Sequence, residues 1–284
     1  MLLREVEYAR PATVEEAIAL LSENDGARAL AGGQTLVNVM KARAASPDVL
    51  VDLADLDELR TISFSADQSA IELGAMVTNT QVIASSEVEV ARPILAEVAA
   101  TIADVQIRNR GTVGGNVCVN DPTNHYPPLL AALGASFTIR GTSGERTVSA
   151  EEFFLGVYMT AVAEGELLIR ISVPTRTPGT GDAMAGITLG AHGTYLASAV
   201  ATVGVDGARI ALGCVSSVPV RATAMEDQLA DGDFSEAAVR AAAQGLAASL
   251  DPPSDVHASA EYRGHLAEVS AVRAVLQAAE RAKG

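Results

Sequence analysis

Tryptophan is absent from the 284 residues, aromatic residues make up only 4%, and there are just two cysteines and four histidines. Cys118 and Cys214 stand far apart with no CxxC and no neighbouring histidine, which excludes a four-thiolate iron–sulfur cluster or a structural zinc site held by this chain alone. His125, His192, His257 and His265 do not group, and neither HExxH nor GxSxG occurs, so hydrolytic or metal chemistry built from protein groups has little support. If the chain takes part in catalysis, a bound cofactor supplies the reactivity. Basic residues are scarce as well: 20 Lys and Arg stand against 35 Asp and Glu, a net charge of −15. That balance argues against nucleic acid or an anionic membrane as partner and favours a small ligand or another protein. The opening "MLLREVEYARP" carries charge at Arg4, Glu5 and Glu7 and has no secretory apolar core, so a cytoplasmic chain with reduced thiols is expected. The uncharged stretch 183–205 has the length of a membrane span, but its glycines, His192, Tyr195 and hydroxyl residues read better as two buried strands around a loop.

What is present is an ordered mixture of helices and strands, 49% apolar and 19% charged. Thr13 and Glu16 stand at capping-box spacing ahead of Val14, Ala17, Ile18 and Leu21, which predicts a first helix. "ARALAG" reads as a strand ending at Gly32-Gly33, Thr35 opens the short helix "LVNVMKAR", and "DVLVDL" is the next strand. Short strands near 61–64 and 70–75 precede a helix opened by Thr78 and Gln81. A longer helix across "RPILAEVAATIA" aligns Ile94, Leu95, Val98 and Ile102. "PLLAALG" is a helix, "SFTIR" and "RTVS" a hairpin, and Ser149 with Glu152 caps a further helix. The strand "ELLIRISVP" ends at Pro174, and "TRTPGTGDA" is a linker. "LASAVATVGV" and "ARIALGCVS", joined at Asp206-Gly207, form a second hairpin, followed by alanine-rich helices near 219–230, 234–249 and 260–282.

Two glycine turns stand out, "AGGQT" at 31–35 and "GTVGGN" at 111–116. Backbone N–H groups at such turns can converge on an anion, and the missing Cβ atoms let a phosphate approach. Each is either a tight turn between elements or one half of a clamp for a diphosphate. Neither follows the Rossmann or the P-loop pattern.

The ordered series "AGGQTLVNVMKAR", "PDVLVDL", "LGAMVTN", "ADVQIRNRGTVGGNVCVNDPTNHYPPLLAALGA", "GELLIRISVP" and "AEYRGHL" resembles the FAD-binding medium subunit of the molybdenum hydroxylases. The resemblance runs over essentially the whole chain. It implies an α+β fold of the vanillyl-alcohol-oxidase (PCMH) type, with an N-terminal α/β lobe over 1–55, a second lobe over 56–175 and a C-terminal domain of antiparallel sheet and helices over 176–284. It implies that FAD lies along Ala29, Leu30, Ala31, Gly32, Gly33, Gln34, Thr35 and Leu36 on one side. On the other it implies Thr112, Val113, Gly114, Gly115 and Asn116, with the diphosphate between the two turns. Ala103, His125 and Leu167 would also line the cofactor, and Tyr195 would cover the flavin ring or else be a packed strand aromatic. No side chain need act as an acid or base, since the flavin carries the chemistry. Partners implied are a large subunit with a molybdenum-pterin cofactor and a small subunit with two [2Fe-2S] clusters. Together they would form an (αβγ)2 heterohexamer that delivers electrons to an external acceptor.

Two departures from the family stand out. The family resembled usually reads DPxxDxP, whose second Asp meets ribose or ribityl hydroxyls; "DPTNHYP" puts His125 there, which is either a tolerated replacement or, since imidazole ordinarily titrates near neutrality, a source of pH-dependent flavin affinity. The Lys/Arg-rich stretch that many relatives carry before the aromatic is absent from "GITLGAHGTYLASA". Other readings left open are a stand-alone flavin oxidase, a pyrophosphate- or CoA-type binding protein, and a structural subunit without cofactor.

Overall fold

The computed structural model describes residues 3–190 and 194–284. Met1, Leu2, Ala191, His192 and Gly193 lie outside the described residues, and with them the expectations made for His192 and for part of the loop inside 183–205.

The first sheet is parallel. β1 (Glu7–Ala9), β2 (Ala27–Leu30) and β3 (Val49–Asp52) run in the order β1-β3-β2, with α1 (Val14–Glu23) and α2 (Leu36–Lys41) as crossovers. Thr13 caps α1 by accepting from the Glu16 amide at 3.1 Å, while the Glu16 carboxylate reaches back one residue further than expected, to the Ala12 amide. The expected apolar stripe of α1 is buried against Val49 and Val51 of β3.

A five-stranded antiparallel sheet follows, ordered β4-β5-β10-β6-β7 from β4 (Ile62–Phe64), β5 (Ala70–Gly74), β6 (Ser136–Gly141), β7 (Gly144–Ser149) and β10 (Leu167–Pro174). Between β5 and β6 the chain folds into α3 (Asn79–Ala84), α4 (Ser86–Ala91), α5 (Ile94–Thr101), α6 (Val105–Arg110), α7 (Val113–Val119) and α8 (Tyr126–Leu133). After β7 come α9 (Ala150–Phe153) and a small hairpin of β8 (Phe154–Gly156) and β9 (Met159–Thr160). The two capping boxes expected at Thr78/Gln81 and Ser149/Glu152 are complete. A bulge in β10 between Leu168 and Arg170 changes which side chains face which way. Leu168, Ile171 and Val173 enter the core of this second lobe, whereas Leu167 and Ile169 enter the core of the first.

The last sheet is antiparallel, ordered β11-β12-β13-β14, from β11 (Gly181–Thr188), β12 (Tyr195–Gly204), β13 (Gly207–Gly213) and β14 (Val220–Arg221). The 23-residue α12 (Ala260–Ala282) lies across it. At Gly181 the strand passes so close to α12 that a Cβ would stand 2.0 Å from the Ala278 carbonyl oxygen. The uncharged stretch 183–205 thus supplies two sheet strands, and among the described residues no helix is long and apolar enough to cross a membrane.

Three expectations need correction. Residues 111–116 are not a turn: Thr112 caps α7, and Gly114-Gly115 lie inside it. The helix expected near 219–230 starts instead with β14, because Val220 pairs with Leu212 at the sheet edge; only α10 (Thr223–Gln228) is helical. The helix expected over 234–249 is α11 (Glu236–Ala242) and a separate 3-10 turn at Leu246–Ser249, divided where Gly245 takes a left-handed φ of 80°.

Candidate functional site

The first glycine segment lies at the carboxyl end of β2, where ligands gather in parallel sheets. Gly33 takes φ 72°, the left-handed conformation that turns successive amides toward one side. Among the described residues none accepts a hydrogen bond from the backbone N–H of Gly32, Gly33, Gln34 or Thr35. Gln34 folds its own side-chain amide back on the Gly32 carbonyl at 3.0 Å, and Thr35, although it stands at the start of α2, caps nothing. The result is a row of amides without a protein acceptor, flanked by Ala31 and Leu36, both half-buried. Ala29 and Leu30 lead into it as half-buried residues of β2.

The second segment is built differently. Its amides are engaged: Val113 donates to Val77 at 2.9 Å, Gly114 to Ala75 at 3.0 Å, Gly115 to the Thr112 hydroxyl at 3.0 Å and Asn116 to the Thr112 carbonyl at 3.0 Å. The expectation that both segments offer an amide cradle is therefore corrected, because Val77 and Ala75, just past β5, have taken two of these donors and Thr112 the other two. Its glycines serve close packing, since a Cβ on Gly114 would stand 2.5 Å from the Ala75 carbonyl oxygen. What this segment offers is Asn116, whose Oδ1 is buried with no partner among the described residues. An orphaned buried acceptor costs about 1–3 kcal/mol, and a ligand donor removes that cost.

The two segments touch. A Cβ on Gly32 would lie 2.1 Å from the Arg110 carbonyl oxygen and 2.9 Å from the Gly111 Cα, and one on Gly115 would meet the Ala31 Cβ at 3.4 Å. The unpaired amides of one lobe and the orphaned oxygen of the other thus belong to one locality.

The remaining candidates divide into two groups. His125 and Tyr195 come together, ring centroids 4.6 Å apart and planes tilted by 54°. The Tyr195 ring rests on Gly186, where a Cβ would stand 2.7 Å from its Cδ1 and Cε1. Burial raises the Tyr195 hydroxyl pKa, opposed by a contact with Thr101. Ala103 follows α5 in a left-handed conformation, φ 42°, with its carbonyl held by Arg108 at 2.8 Å. Leu167 stands apart: its side chain is 4% exposed and spent in the first-lobe core, against which Ala29 and Ala31 also pack. Cys118 packs against the second-lobe core, where burial pushes its thiol up to about 12, and both cysteines are unpaired. Thr101, Asn124 and Gly186 were not among the sequence candidates. Asn124 donates to the Asn116 carbonyl at 2.9 Å, and the only sequence hint for Thr101 is a hydroxyl beside the apolar stripe of a helix.

Burial pulls the His125 imidazole down to about 4, against 6.5 for an unhindered histidine. It is neutral through the neutral range, which corrects the expectation of a flavin affinity that changes there. The consequence appears in stability instead. Between these two values the folded chain binds fewer protons than the unfolded one, so the contribution is full above 6.5 and falls as the pH drops toward 4. Urea denaturation at pH 7 and 4.5 is expected to cost the wild type about 2 kcal/mol more than His125→Gln. Equal losses would contradict it.

A parallel-sheet lobe with free amides, clasped against a second lobe carrying an orphaned acceptor, is a cradle for an anionic dinucleotide. Residues 4–176 match the family model "FAD binding domain in molybdopterin dehydrogenase", and residues 181–278 match "CO dehydrogenase flavoprotein C-terminal domain". The carbon monoxide dehydrogenase medium chain of Hydrogenophaga pseudoflava is 37% identical over 95% of this chain and 95% of its own length. The nicotine 6-hydroxylase medium subunit of Paenarthrobacter nicotinovorans is 33% identical over 99% of this chain and all of its own. A chain of quinoline 2-oxidoreductase from Pseudomonas putida 86 superimposes with a TM-score of 0.95, at 34% identity and full coverage of both chains. The protein belongs to the family of FAD-binding medium subunits of molybdenum hydroxylases, and its α+β fold is theirs.

Proposed function

We propose that this chain holds FAD with the diphosphate on the Gly32–Thr35 amides, the Asn116 amide beside it, His125 on a sugar or ribityl hydroxyl and Tyr195 over the flavin ring. The observation that carries this is the row of unpaired amides joined, through the Gly32 contact, to the orphaned Asn116 oxygen. Both features lose their energetic cost when an anion with neighbouring hydroxyls fills the space. Thr35 and Thr112 keep hydroxyl hydrogens to donate, and we assign Ala103 to the same site on the resemblance alone. Bound flavin would supply two-electron and one-electron redox chemistry. The side chains here bind and orient it.

On this reading the chain is the flavin subunit of a molybdenum-containing hydroxylase or dehydrogenase. A large partner carries the molybdenum-pterin cofactor and a small partner two [2Fe-2S] clusters, in an (αβγ)2 assembly in the cytoplasm. Electrons pass from the clusters to an external acceptor. The lobe limits at 55 and 175 are part of the proposal. Relatives named as medium chains and medium subunits over their full length support it over a stand-alone oxidase. The test is reconstitution: the purified chain, mixed with FAD and desalted, should retain one flavin per chain and show its visible absorbance. Addition of the two partner subunits should allow that absorbance to bleach with a reducing substrate of the complex. A chain that emerges colourless overturns the cofactor assignment; one that keeps flavin but is never bleached through its partners overturns the electron-transfer role.

A further inference from the structure

The atoms around His125 define what its imidazole can do. Its Nδ1 lies 3.0 Å from the Thr101 Oγ1. A threonine hydroxyl has one hydrogen, and here that hydrogen is committed, because Oγ1 donates to the Val98 carbonyl at 2.7 Å. Toward His125 it can therefore only accept, so the imidazole proton sits on Nδ1. Nε2 is left with a lone pair. Among the described residues that atom has no hydrogen-bond partner, and the histidine keeps 9% of its surface exposed. The ring cannot swing away readily, because one of its faces meets Tyr195, which is itself seated on Gly186.

We infer that Thr101 is a positioning residue for the cofactor: it fixes His125 as the Nδ1–H tautomer, so that Nε2 presents a neutral hydrogen-bond acceptor to a hydroxyl of the FAD sugar or ribityl chain. The inference rests on the FAD assignment above. A carboxylate accepts with either oxygen and needs no such device; an imidazole is an acceptor only on the nitrogen that lacks the proton, and something must choose it. In this chain the chooser is the last residue of α5, itself oriented by the Val98 carbonyl one turn back. Donation runs one way along the relay, from a ligand hydroxyl to Nε2, from Nδ1–H to the Thr101 oxygen and from the Thr101 hydroxyl to the Val98 carbonyl.

The test uses the full chain with imidazole-labelled histidine, prepared free of flavin and titrated with FAD. Thr101 is exposed at the helix end, so Thr101→Val keeps shape and leaves the core untouched. The His125 nitrogen signals, assigned by their loss in His125→Gln, should show Nδ1 protonated in the wild type and in Thr101→Ser. In Thr101→Val they should shift toward the other tautomer, with FAD affinity falling about tenfold. A tautomer change without an affinity change overturns the inference, as does an affinity loss with the tautomer unmoved, and so does failure of Thr101→Ser to restore both. If the wild type binds no FAD at all while its His125 signals match expectation, the cofactor assignment fails instead.

Discussion

Gly32→Ala should abolish stable flavin retention while leaving the chain folded. The added Cβ would stand 2.1 Å from the Arg110 carbonyl oxygen and 2.8 Å from its carbon, both backbone atoms with no rotamer to yield. The backbone of Gly32 is not in the left-handed region, so alanine is strained there by its neighbour alone. Relief requires the first segment to move off the second by roughly an ångström, which separates the amides of Gly32–Thr35 from Asn116. Misplacement on that scale costs on the order of 100-fold in a site that depends on alignment. FAD affinity is expected to fall about 100-fold, read by flavin fluorescence on titration. Far-ultraviolet dichroism should be unchanged, because the collision lies between lobes and outside all three cores. Gly144→Ala, at a glycine with nothing within 4 Å of its Cβ position, is the control for glycine removal. Its φ of 111° adds backbone strain but no collision. Equal affinities for Gly32→Ala and the wild type would show that the contact does not set the site.

Asp182→Ala carries the largest expected loss of stability. Arg92, at the end of α4, reaches across to the C-terminal sheet, where its Nη2 donates to Asp182 at 2.7 Å and to Thr202 at 2.9 Å. Nη1 reaches the Pro174 carbonyl at 3.3 Å, and Nε is left without a partner. The two side chains are 6% and 4% exposed. Burial lowers the Arg92 pKa against the opposing pull of Asp182, so the guanidinium is charged in a place that resists charge. Removing the carboxylate strands it there, at a cost of about 3–5 kcal/mol. Urea denaturation should register that loss. The pair Arg92→Met with Asp182→Leu, which removes both charges, should recover most of it. A loss under about 1 kcal/mol for Asp182→Ala would mean that water reaches the Arg92 guanidinium and solvates it in place of the carboxylate.

Local chemistry was legible in the sequence wherever it is decided locally. The Thr78/Gln81 and Ser149/Glu152 caps form as their spacing requires, and the expected hairpin is present, turned at Val205-Asp206, one residue earlier than expected, with Gly207 opening the next strand at φ 99°. The glycine excess at 31–35 and 111–116 pointed correctly to close approach. What approaches Gly32 is the other segment itself, a contact between residues almost eighty positions apart. The state of the amides at 113 and 114 was not legible, because their acceptors on Val77 and Ala75 come from the segment that follows a distant strand. Thr101 escaped notice for a related reason: its importance lies in where its single hydrogen goes, which depends on the Val98 carbonyl and on a histidine 24 positions on. The break in the helix expected over 234–249 turns on a single left-handed glycine within an alanine-rich run.

The bulge in β10 has a consequence for biogenesis. Leu167 and Ile169 are made more than a hundred residues after β3, yet they are part of the apolar interior that α1 and the parallel sheet enclose, as is Met76. During translation the amino-terminal sheet therefore waits, its apolar face uncovered, until the ribosome has released the strand that seals it. A fragment ending near residue 55 would lack those closing side chains and be prone to aggregate. In the finished protein the same two residues tie the strand that crosses the second lobe's sheet to the core of the first.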